Sequence, residues 1–300
     1  MAGVLLRQIR YVHISHVCIY IRRMLRPHVK RYTEGIEMNS GQDEGWYAER
    51  DISTTFVKGL KVLAAFDDGY ARLTLPEIGK ATQLDRAAVR RLVITLVDLG
   101  YVEKADKYFS LTPKVLTLAG SYLRGNSVGA TVQPTLNRHS QTLGREISVA
   151  AIADTSAVYI AQSIVAGSNV SFGFTVGSRL PLLHSAIGRM LLAYAPPDHA
   201  NSLIEHADLS LYTSESLQDR DAIRDQITAA RAHGFAVVSN EFEGGIAGLA
   251  VPVGRPDAAR MALGISAPVS FMKDPATHET CLSILQLCAK EIYRSLPGGR

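Results

Sequence analysis

Residues 73–111 constrain the fold of this chain more than any other stretch, and they read LTLPEIGKATQLDRAAVRRLVITLVDLGYVEKADKYFSL. Thr74 and Glu77 have the spacing of a capping box, in which the two residues satisfy each other's backbone amides. A short helix is therefore predicted from about Leu75 to about Thr82, followed by a tight turn. This pattern is typical of the first half of a helix-turn-helix.

The second helix of this stretch follows Asp85, a favourable N-cap residue, and ends before Gly100, which suits the C′ position. At about 100° of rotation per residue, one side of this helix holds Val89, Leu92, Val93, Leu96 and Leu99, and the side broadly opposite holds Ala87, Arg90, Arg91 and Asp98. Such a face suits the major groove of DNA, where arginine reaches guanine edges or phosphates. An ordinary solvated helix face is the alternative interpretation. The predicted DNA contacts on this helix are Arg86, Ala87, Ala88, Arg90 and Arg91.

Two short extended runs follow this helix, at 101–104 and 107–111, and a polar turn joins them. They predict a β-hairpin, which completes a winged helix-turn-helix. Lys104 and Lys107 flank the turn, so we predict that both lysines contact the phosphates of the DNA backbone.

The distribution of charge indicates two domains with different tasks. A chain of 300 residues exceeds one average domain. Basic and acidic residues number eight and five in 1–50, eleven and eight in 51–125, and thirteen and fifteen in 126–300. This asymmetry is typical of a DNA-binding domain joined to a module of another kind. Three cysteines are too few for a disulfide framework and no apolar run could span a bilayer, so we expect a cytoplasmic protein without a membrane partner.

The first 50 residues form a separate basic segment, with seven basic and no acidic residues up to Arg31. The segment has neither a signal-peptide pattern nor a clean amphipathic period. We interpret it as disordered, or as an extension upstream of a true start codon at Met24 or Met38. A basic tail that touches DNA is the alternative.

Helical spacing continues on both sides of the winged stretch. Phe56, Leu60 and their apolar neighbours predict a helix over 53–66. A linker helix is predicted within 113–127. A further helix is expected over about 128–143, with a bend or break near Pro134.

From residue 146 onwards, six extended runs interleaved with helices predict an α/β domain on an antiparallel or mixed sheet. The third of these runs is 170–177. The fold class is therefore α+β, and the domain boundaries are predicted at 1–50 for the basic extension, 51–112 for the winged domain, 113–127 for the linker helix and 128–300 for the second domain.

An enzyme is the main alternative for the second domain. His184 and Ser185 are adjacent, but neighbours in sequence rarely face each other, and no G-x-S-x-G elbow surrounds the serine. No phosphate-binding loop or dinucleotide glycine fingerprint occurs. His13, His16 and Cys18 have a metal-like spacing but lack a fourth ligand nearby. We therefore predict no catalytic residue, metal or cofactor. A ligand-free architectural DNA-binding protein is disfavoured because the large second domain is not basic.

Five segments resemble the IclR-type transcriptional regulators in order and spacing, from about Ser53 to the C-terminus. The resemblance is greatest to the branch that controls aromatic-acid catabolism through the β-ketoadipate route, including protocatechuate and 4-hydroxybenzoate breakdown. Ala88 departs from the family, which often has threonine at that point of the reader helix. The segments are FVKGLKVLAAFD, RAAVRRLVITLVDLGYV, LTPKVLTLAGSYL, GSRLPLLHSAIGRMLLA and GFAVVSNEFEGGIAGLAVPV.

The resemblance implies a winged helix-turn-helix followed by an effector-binding domain of GAF-like fold, assembled as a homodimer or dimer of dimers. The implied partners are double-stranded operator DNA, a small organic acid and RNA polymerase. The acid, aromatic or a ring-cleavage product, would control catabolic genes by changing the placement of the reader helices.

The resemblance also implies where the acid binds. If Ser185 caps a helix, the amides of Ala186, Ile187 and Gly188 would offer a site for its carboxylate. The alternative is that Ser185 is only a cap and that the glycines serve close packing. The implied effector-binding residues are Ala186, Ile187, Ser239, Asn240, Gly248, Gly264 and Ser266.

Overall fold

The chain divides into two compact units, one ending at Ala119 and the other beginning at Gly120. The predicted basic segment lies outside the described part of the chain. Within that part, no helix has the length and apolar character that crossing a membrane requires. The computed structural model describes residues 51–66, 71–125, 131–163, 165, 174–257 and 259–296.

The first unit is a winged helix-turn-helix, as predicted. Its hairpin is joined to the helices, because Leu73 forms an isolated antiparallel bridge with Phe109. Both side chains are buried in the small core of this unit. The elements are helices α1 (Thr54–Ala64), α2 (Leu75–Thr82) and α3 (Arg86–Asp98) and the antiparallel strands β1 (Val102–Ala105) and β2 (Tyr108–Leu111).

Local hydrogen bonds explain where the two central helices begin. The Thr74 amide donates to the Glu77 carboxylate at 2.8 Å, and this capping box lowers the pKa of Glu77. The Asp85 carboxylate accepts a bond from the Ala88 amide at 2.9 Å, which caps α3. Between the helices Gln83 adopts a left-handed conformation, with φ 56°. The predicted caps are therefore confirmed, and the turn depends on one strained residue.

Fewer helical residues are buried in the core of this unit than the apolar spacing of the sequence predicted. Phe56 and Leu60 of α1 are 67% and 48% exposed, whereas Val62 is fully buried. Leu99, expected on the inward side of the reader helix, is 50% exposed because it is already the C-cap. The small core covers one side of α1 only, so an apolar strip remains at the surface.

One continuous helix, α4 (Val115–Gly125), crosses the division between the two units and corresponds to the predicted linker helix. The residues before it are attached to the end of α3. The Lys114 ammonium donates to the Leu99 carbonyl at 2.7 Å, and the Thr112 hydroxyl donates to the Gly100 carbonyl at 2.5 Å. These bonds satisfy carbonyls that the end of a helix leaves without partners.

The second unit is built on a six-stranded sheet in which every neighbouring pair is antiparallel. The sheet therefore matches the antiparallel alternative of the prediction. Its strands are β3 (Ser148–Ala153), β4 (Ser156–Gln162), β5 (Arg179–Pro181), β6 (Ala236–Ser239), β7 (Ile246–Val253) and β8 (Met261–Pro268), in the spatial order β5-β4-β3-β8-β7-β6.

Helices cover both faces of this sheet, and each face has its own buried apolar cluster. One face packs against the helices within 186–233, and the other packs against the helices within 133–143 and 269–295. Pro134 lies in the first turn of α5, where its missing amide removes no helical hydrogen bond. The helices are α5 (Gln133–Leu143), α6 (Ala186–Tyr194), α7 (Pro197–His206), α8 (Arg220–His233), α9 (Val269–Met272) and α10 (Pro275–Ser295).

The third predicted strand covers 170–177, and its described part, 174–177, does not form a strand. Residues 174–178 form a turn, and the strand β5 begins after them. The Thr175 amide donates to the Ser178 hydroxyl at 3.0 Å, and Gly177 has a φ of 98° that favours glycine. This local bonding competes with strand pairing, and residues 170–173 lie outside the described part of the chain.

Three glycines allow α6 to lie close to the backbone around it. A Cβ atom at Gly188 would stand 2.4 Å from the Leu182 carbonyl oxygen. Gly264 faces Ile187 of the helix, and its added Cβ would stand 2.5 Å from the Leu249 oxygen. Gly248 faces Ala186, with 3.1 Å between the two Cβ positions. Because these side chains are absent, the first turn of α6 rests directly on the centre of the sheet.

Gly188→Ala should destabilise the second unit by about 2 kcal/mol or more, because its methyl group would overlap backbone atoms that cannot move independently. Urea unfolding followed by circular dichroism measures this change. Gly244→Ala is the matched control, since no atom lies within 4 Å of its added Cβ. Equal stability of the two variants would contradict the close packing of α6.

Candidate functional site

The outward face of α3 presents three arginines and one small residue. Arg86, Ala87, Arg90 and Arg91 are exposed. None of the three guanidinium groups forms an ion pair within the described ranges. Ala88 is a correction to the prediction, because its side chain is only 9% exposed and so does not belong to this outward face. The candidate DNA-reading face therefore consists of the other four residues.

The tip of the β1–β2 hairpin carries the two predicted lysines. Lys104 and Lys107 are both exposed, and the Lys107 ammonium lies 5.4 Å from the centre of the Tyr108 ring. Asp106 turns the hairpin with a φ of 55°. Lys114 differs from these two lysines because its ammonium is already bonded to the carbonyl at the end of α3.

A cavity of about 270 Å³ lies between α6 and the sheet of the second unit. Ala186 and Ile187 line it from the helix. Gly248, Gly264 and Ser266 line it from β7 and β8. Ser266 is exposed, so the cavity is open to solvent near that residue. The structure thus brings together five of the seven residues that the resemblance implied.

Ser239 and Asn240 do not line the cavity, which corrects the prediction. Asn240 instead shapes the turn after β6: its φ is 62°, and its side-chain oxygen accepts from the Gly245 amide at 2.8 Å. Its side-chain nitrogen donates to Glu215 at 2.9 Å. Val238 lines the cavity from the same strand. Side chains alternate along a strand, so a shift of one residue changes which of them faces the site.

Aromatic rings form a wall of the cavity that the sequence analysis missed. Tyr159 and Phe174 meet edge to face at 6.2 Å between ring centres, and Phe174 lies 6.0 Å from Phe242. Tyr212 continues the chain of rings, 5.1 Å from Phe242 and 5.3 Å from His184. Four of these five rings line the cavity. Burial raises the pKa of the Tyr159 phenol to about 12, so this wall is neutral.

The start of α6 supplies open backbone donors at the cavity. The Ser185 hydroxyl accepts from the Gly188 amide at 3.0 Å, as the predicted cap requires. That bond removes the Gly188 amide from the predicted carboxylate site. Within the described residues, the amides of Ala186 and Ile187 donate to no protein acceptor, as is usual for the first turn of a helix. They remain available to a ligand anion.

A buried ion pair supports the cavity from behind. Arg189 of α6 is 1% exposed, and its guanidinium donates to Glu241 at 2.6 Å and to the Leu183 carbonyl at 2.7 Å. It also donates to the Gln226 side chain on α8. Glu241 lines the cavity and accepts from the Leu217 amide at 3.2 Å. One charged pair therefore joins α6, α8, the 213–217 loop and the cavity wall.

His184 is fully buried beside the cavity, and its ring has one bonded nitrogen. Its Nε2 lies 2.9 Å from the Leu217 carbonyl oxygen, which can only accept. Nε2 must therefore carry the proton, and Nδ1 is an acceptor with no partner in the described part of the chain. Burial lowers the pKa of His184, so the neutral ring persists below the ordinary histidine range.

Two further charged groups border the cavity. Glu243 lines it, and burial raises the pKa of its carboxyl. The Arg145 guanidinium lies 3.7 Å from the centre of the Phe271 ring, which orients the cation by stacking. Over the described ranges, no group of three or more His, Cys, Asp or Glu side chains has the arrangement of a metal site.

Comparison with known families identifies both units. Residues 55–106 match the IclR helix-turn-helix domain, and residues 120–294 match the C-terminal domain of the bacterial transcriptional regulator IclR. The chain belongs to the IclR family of transcriptional regulators. The predictions of family, of an α+β fold and of a regulator rather than an enzyme are therefore confirmed. The protein is therefore a transcriptional regulator with a helix-turn-helix DNA-binding domain.

Individual IclR relatives include regulators of aromatic catabolism. The Pca regulon regulatory protein of Pseudomonas putida is 32% identical over 256 residues, covering 85% of this chain and 88% of the relative. The p-hydroxybenzoate hydroxylase transcriptional activator of Acinetobacter baylyi is 28% identical and covers 68% of this chain and 76% of its own length.

The fold of a solved IclR homologue is also similar. The homologue comes from Microbacterium hydrocarbonoxydans, and its crystal structure contains 4-hydroxybenzoate. It shares 22% sequence identity with a TM-score of 0.64, and the match covers 80% of this chain and 97% of the homologue.

The buried His184 predicts a dependence of stability on pH. The unfolded chain gains a proton on this ring near the ordinary pKa of about 6.5, whereas the folded protein resists protonation to lower pH. The free energy of unfolding should therefore fall as the pH drops below about 6.5. Urea unfolding between about pH 8 and pH 5 measures it. His184→Gln should flatten this dependence and His199→Gln should not; parallel curves for His184→Gln and the parent would contradict the assignment.

Proposed function

We propose that this regulator senses a small aromatic acid in the cavity of its second unit and changes its affinity for operator DNA in response. The aromatic wall carries this proposal. Phe174, Phe242 and Tyr159 surround a space of about 270 Å³, which suits a single ring with small substituents. The relatives that regulate Pca and p-hydroxybenzoate functions, and the homologue that holds 4-hydroxybenzoate, support the same class of ligand.

The acid group of the effector binds at the start of α6 in this proposal. The amides of Ala186 and Ile187 face the cavity at the positive end of the helix dipole. Ser266 and the glycines at positions 248 and 264 border the same space, and the glycines let the first turn of α6 lie directly against β7 and β8. The aromatic wall then stacks on the ring while the helix binds the carboxylate.

Operator DNA binds the first unit through α3 and the wing. The arginines of α3 lie in the major groove, with Ala87 allowing close approach, and the wing lysines contact phosphates. A partly palindromic operator would be read by two copies, as a homodimer or a dimer of dimers. The exposed apolar strips on α1 and α4, at Phe56, Leu60, Leu116 and Tyr122, are suitable surfaces for self-association. We also propose that the protein acts in the cytoplasm and that it contacts RNA polymerase.

The linker helix α4 connects the DNA-binding unit to the effector-binding unit. We assign 51–112 to DNA binding, 113–127 to the connection and 128–300 to effector binding. An effector that prefers one placement of the reader helices changes operator affinity through a coupling of typically about 1–3 kcal/mol. The anchoring of Lys114 and Thr112 to the end of α3 means that movement of α4 reaches the reader helix directly.

Fluorescence anisotropy tests the whole proposal. Labelled DNA from upstream of the gene and its neighbours is titrated with protein at two salt concentrations, with and without a panel of aromatic acids and ring-cleavage acids. Specific binding that shifts with an aromatic acid supports the proposal. Specific binding that responds to no acid, or only to an aliphatic ring-cleavage acid, contradicts the aromatic-sensor assignment.

Arg90→Ala and Arg91→Ala should each weaken operator binding by about tenfold, because each removes a base or phosphate contact. Effector binding, measured by calorimetry, should not change. Lys290→Ala removes a positive charge from the exposed side of α10 and should have little effect on operator affinity. Operator affinity unchanged in both arginine variants would remove α3 from the interface.

Ser266→Leu should abolish the response to effector, because the larger side chain fills the mouth of the cavity. The operator affinity of the effector-free protein should remain within about twofold of the parent, since the changed residue lies in the other unit. Ser270→Leu is the matched control, as Ser270 is exposed and does not line the cavity. A normal response in Ser266→Leu would show that the effector binds elsewhere.

A further inference from the structure

The cavity has more acceptors than donors among its charged and ionisable side chains. Its wall contains Glu146, Glu241 and Glu243, with Arg145 as the cation. The Glu241 charge is balanced from behind by the buried guanidinium of α6. The other charged groups of the wall are Glu146, Glu243 and Arg145, and the Arg145 guanidinium is stacked on an aromatic ring.

Glu243 differs from the other two carboxylates in its bonding. Glu241 is bonded to a guanidinium and a backbone amide, and Glu146 accepts from the Gln162 side chain at 3.4 Å. For the Glu243 carboxyl, no hydrogen bond or ion pair forms with any described residue, although the residue lines the cavity and is only partly exposed. Burial raises its pKa, which is the expected response of a carboxyl that loses water without gaining a donor.

His184 provides an independent sign that donors are missing from this site. The ring is fully buried at the cavity, and its Nδ1 accepts no bond within the described residues. A buried acceptor left without a donor costs free energy, so a ligand that brings a donor is favoured at such a site.

We infer that Glu243 determines the specificity of the cavity: it accepts a hydrogen bond from a hydroxyl group of the effector and excludes effectors with a second carboxylate. This inference rests on the proposed function, which puts the effector's single carboxylate at the start of α6. The ligand class is then a hydroxylated aromatic monocarboxylic acid. An aromatic or aliphatic dicarboxylic acid does not fit this charge pattern.

The physical reason is the difference between two groups at the same place. A phenolic hydroxyl gives Glu243 a charge-assisted hydrogen bond, which is among the stronger kinds in proteins. A carboxylate there would put two like charges into a partly desolvated space, where their repulsion is screened less than in water. The same side chain therefore attracts the first ligand and repels the second, and specificity contains both terms.

Three ligands with the same benzene ring distinguish the hydrogen bond to Glu243 from the charge repulsion by Glu243. Benzoate has one carboxylate, 4-hydroxybenzoate adds a hydroxyl, and terephthalate replaces that hydroxyl with a second carboxylate. Calorimetric titration at pH 8 keeps all the ligand carboxylates ionised. The parent protein should bind 4-hydroxybenzoate at least about tenfold more tightly than benzoate, which is the size expected of one charge-assisted bond. Terephthalate should bind more weakly than benzoate.

Two variants at this position test the assignment to Glu243. Glu243→Gln removes the charge but keeps an acceptor and adds donors, so terephthalate binding should improve by at least about tenfold. Glu243→Ala removes the acceptor, so the preference for 4-hydroxybenzoate over benzoate should largely disappear. Glu279→Gln removes an exposed carboxylate on α10, away from the cavity, and should leave all three affinities unchanged. Thermal unfolding checks that each variant is folded.

The outcomes distinguish this inference from the proposed function. If the parent binds these acids but both Glu243 variants keep its order of affinities, Glu243 is not the determinant and the sensor assignment stands. If the parent binds terephthalate as tightly as 4-hydroxybenzoate, the exclusion of dicarboxylates is wrong. Failure of all three acids to bind would contradict the aromatic-acid sensor, and the inference would fail with it.

Discussion

The buried ion pair between Arg189 and Glu241 is the interaction on which the shape of the second unit depends most directly. Burial removes most of the water around both charged groups, which costs free energy. Hydrogen bonds to the guanidinium and to the carboxylate offset that cost. The guanidinium bonds to a carboxylate, a backbone carbonyl and the Gln226 side chain. Loss of one partner from such a pair typically costs about 3–5 kcal/mol, since the other is left as an uncompensated buried charge. The pair thus fixes α6 relative to the loops that complete the cavity.

The ion pair also distinguishes a carboxylate with a structural role, Glu241, from one that can interact with a ligand, Glu243. Glu241 and Glu243 are two residues apart, and both border the same space. Glu241 is engaged by Arg189 and by the Leu217 amide, so its contribution to the field in the cavity is largely cancelled. Glu243 has no such partner in the described ranges. Two chemically identical side chains in one short segment therefore have different tasks, decided by what lies behind them.

Local signals in the sequence were sufficient for the elements and for much of the site. The capping box at Thr74 and the N-caps at Asp85 and Ser185 involve residues close together in the chain, and each formed as predicted. Five cavity residues were named correctly because the family resemblance supplied their alignment. In contrast, Ser239 and Asn240 were misplaced, since strand alternation and the turn after β6 decide which of them faces the cavity.

Other features depend on contacts between distant parts of the chain, which no local pattern shows. Arg189 bonds to residues 37 and 52 positions away, and nothing in the helix around it indicates that its charge is buried. The aromatic wall is similar, because Tyr159 and Phe242 come together only when the sheet forms. Ala88 was named as a DNA contact although the family often has threonine there, and the burial of its side chain depends on how the three helices of the first unit pack together.

The two glycines beneath α6 have unequal freedom to change. An alanine at Gly264 would meet the Leu249 carbonyl oxygen at 2.5 Å, and a backbone atom in the middle of a sheet cannot give way. An alanine at Gly248 would meet the Ala186 methyl group at 3.1 Å, a gap that a shift of a few tenths of an ångström restores. The sheet can therefore accept one added methyl group beneath α6 on β7 but not on β8. A substitution on β7 would therefore shift the first turn of α6, and with it the Ala186 and Ile187 side of the cavity, by a few tenths of an ångström.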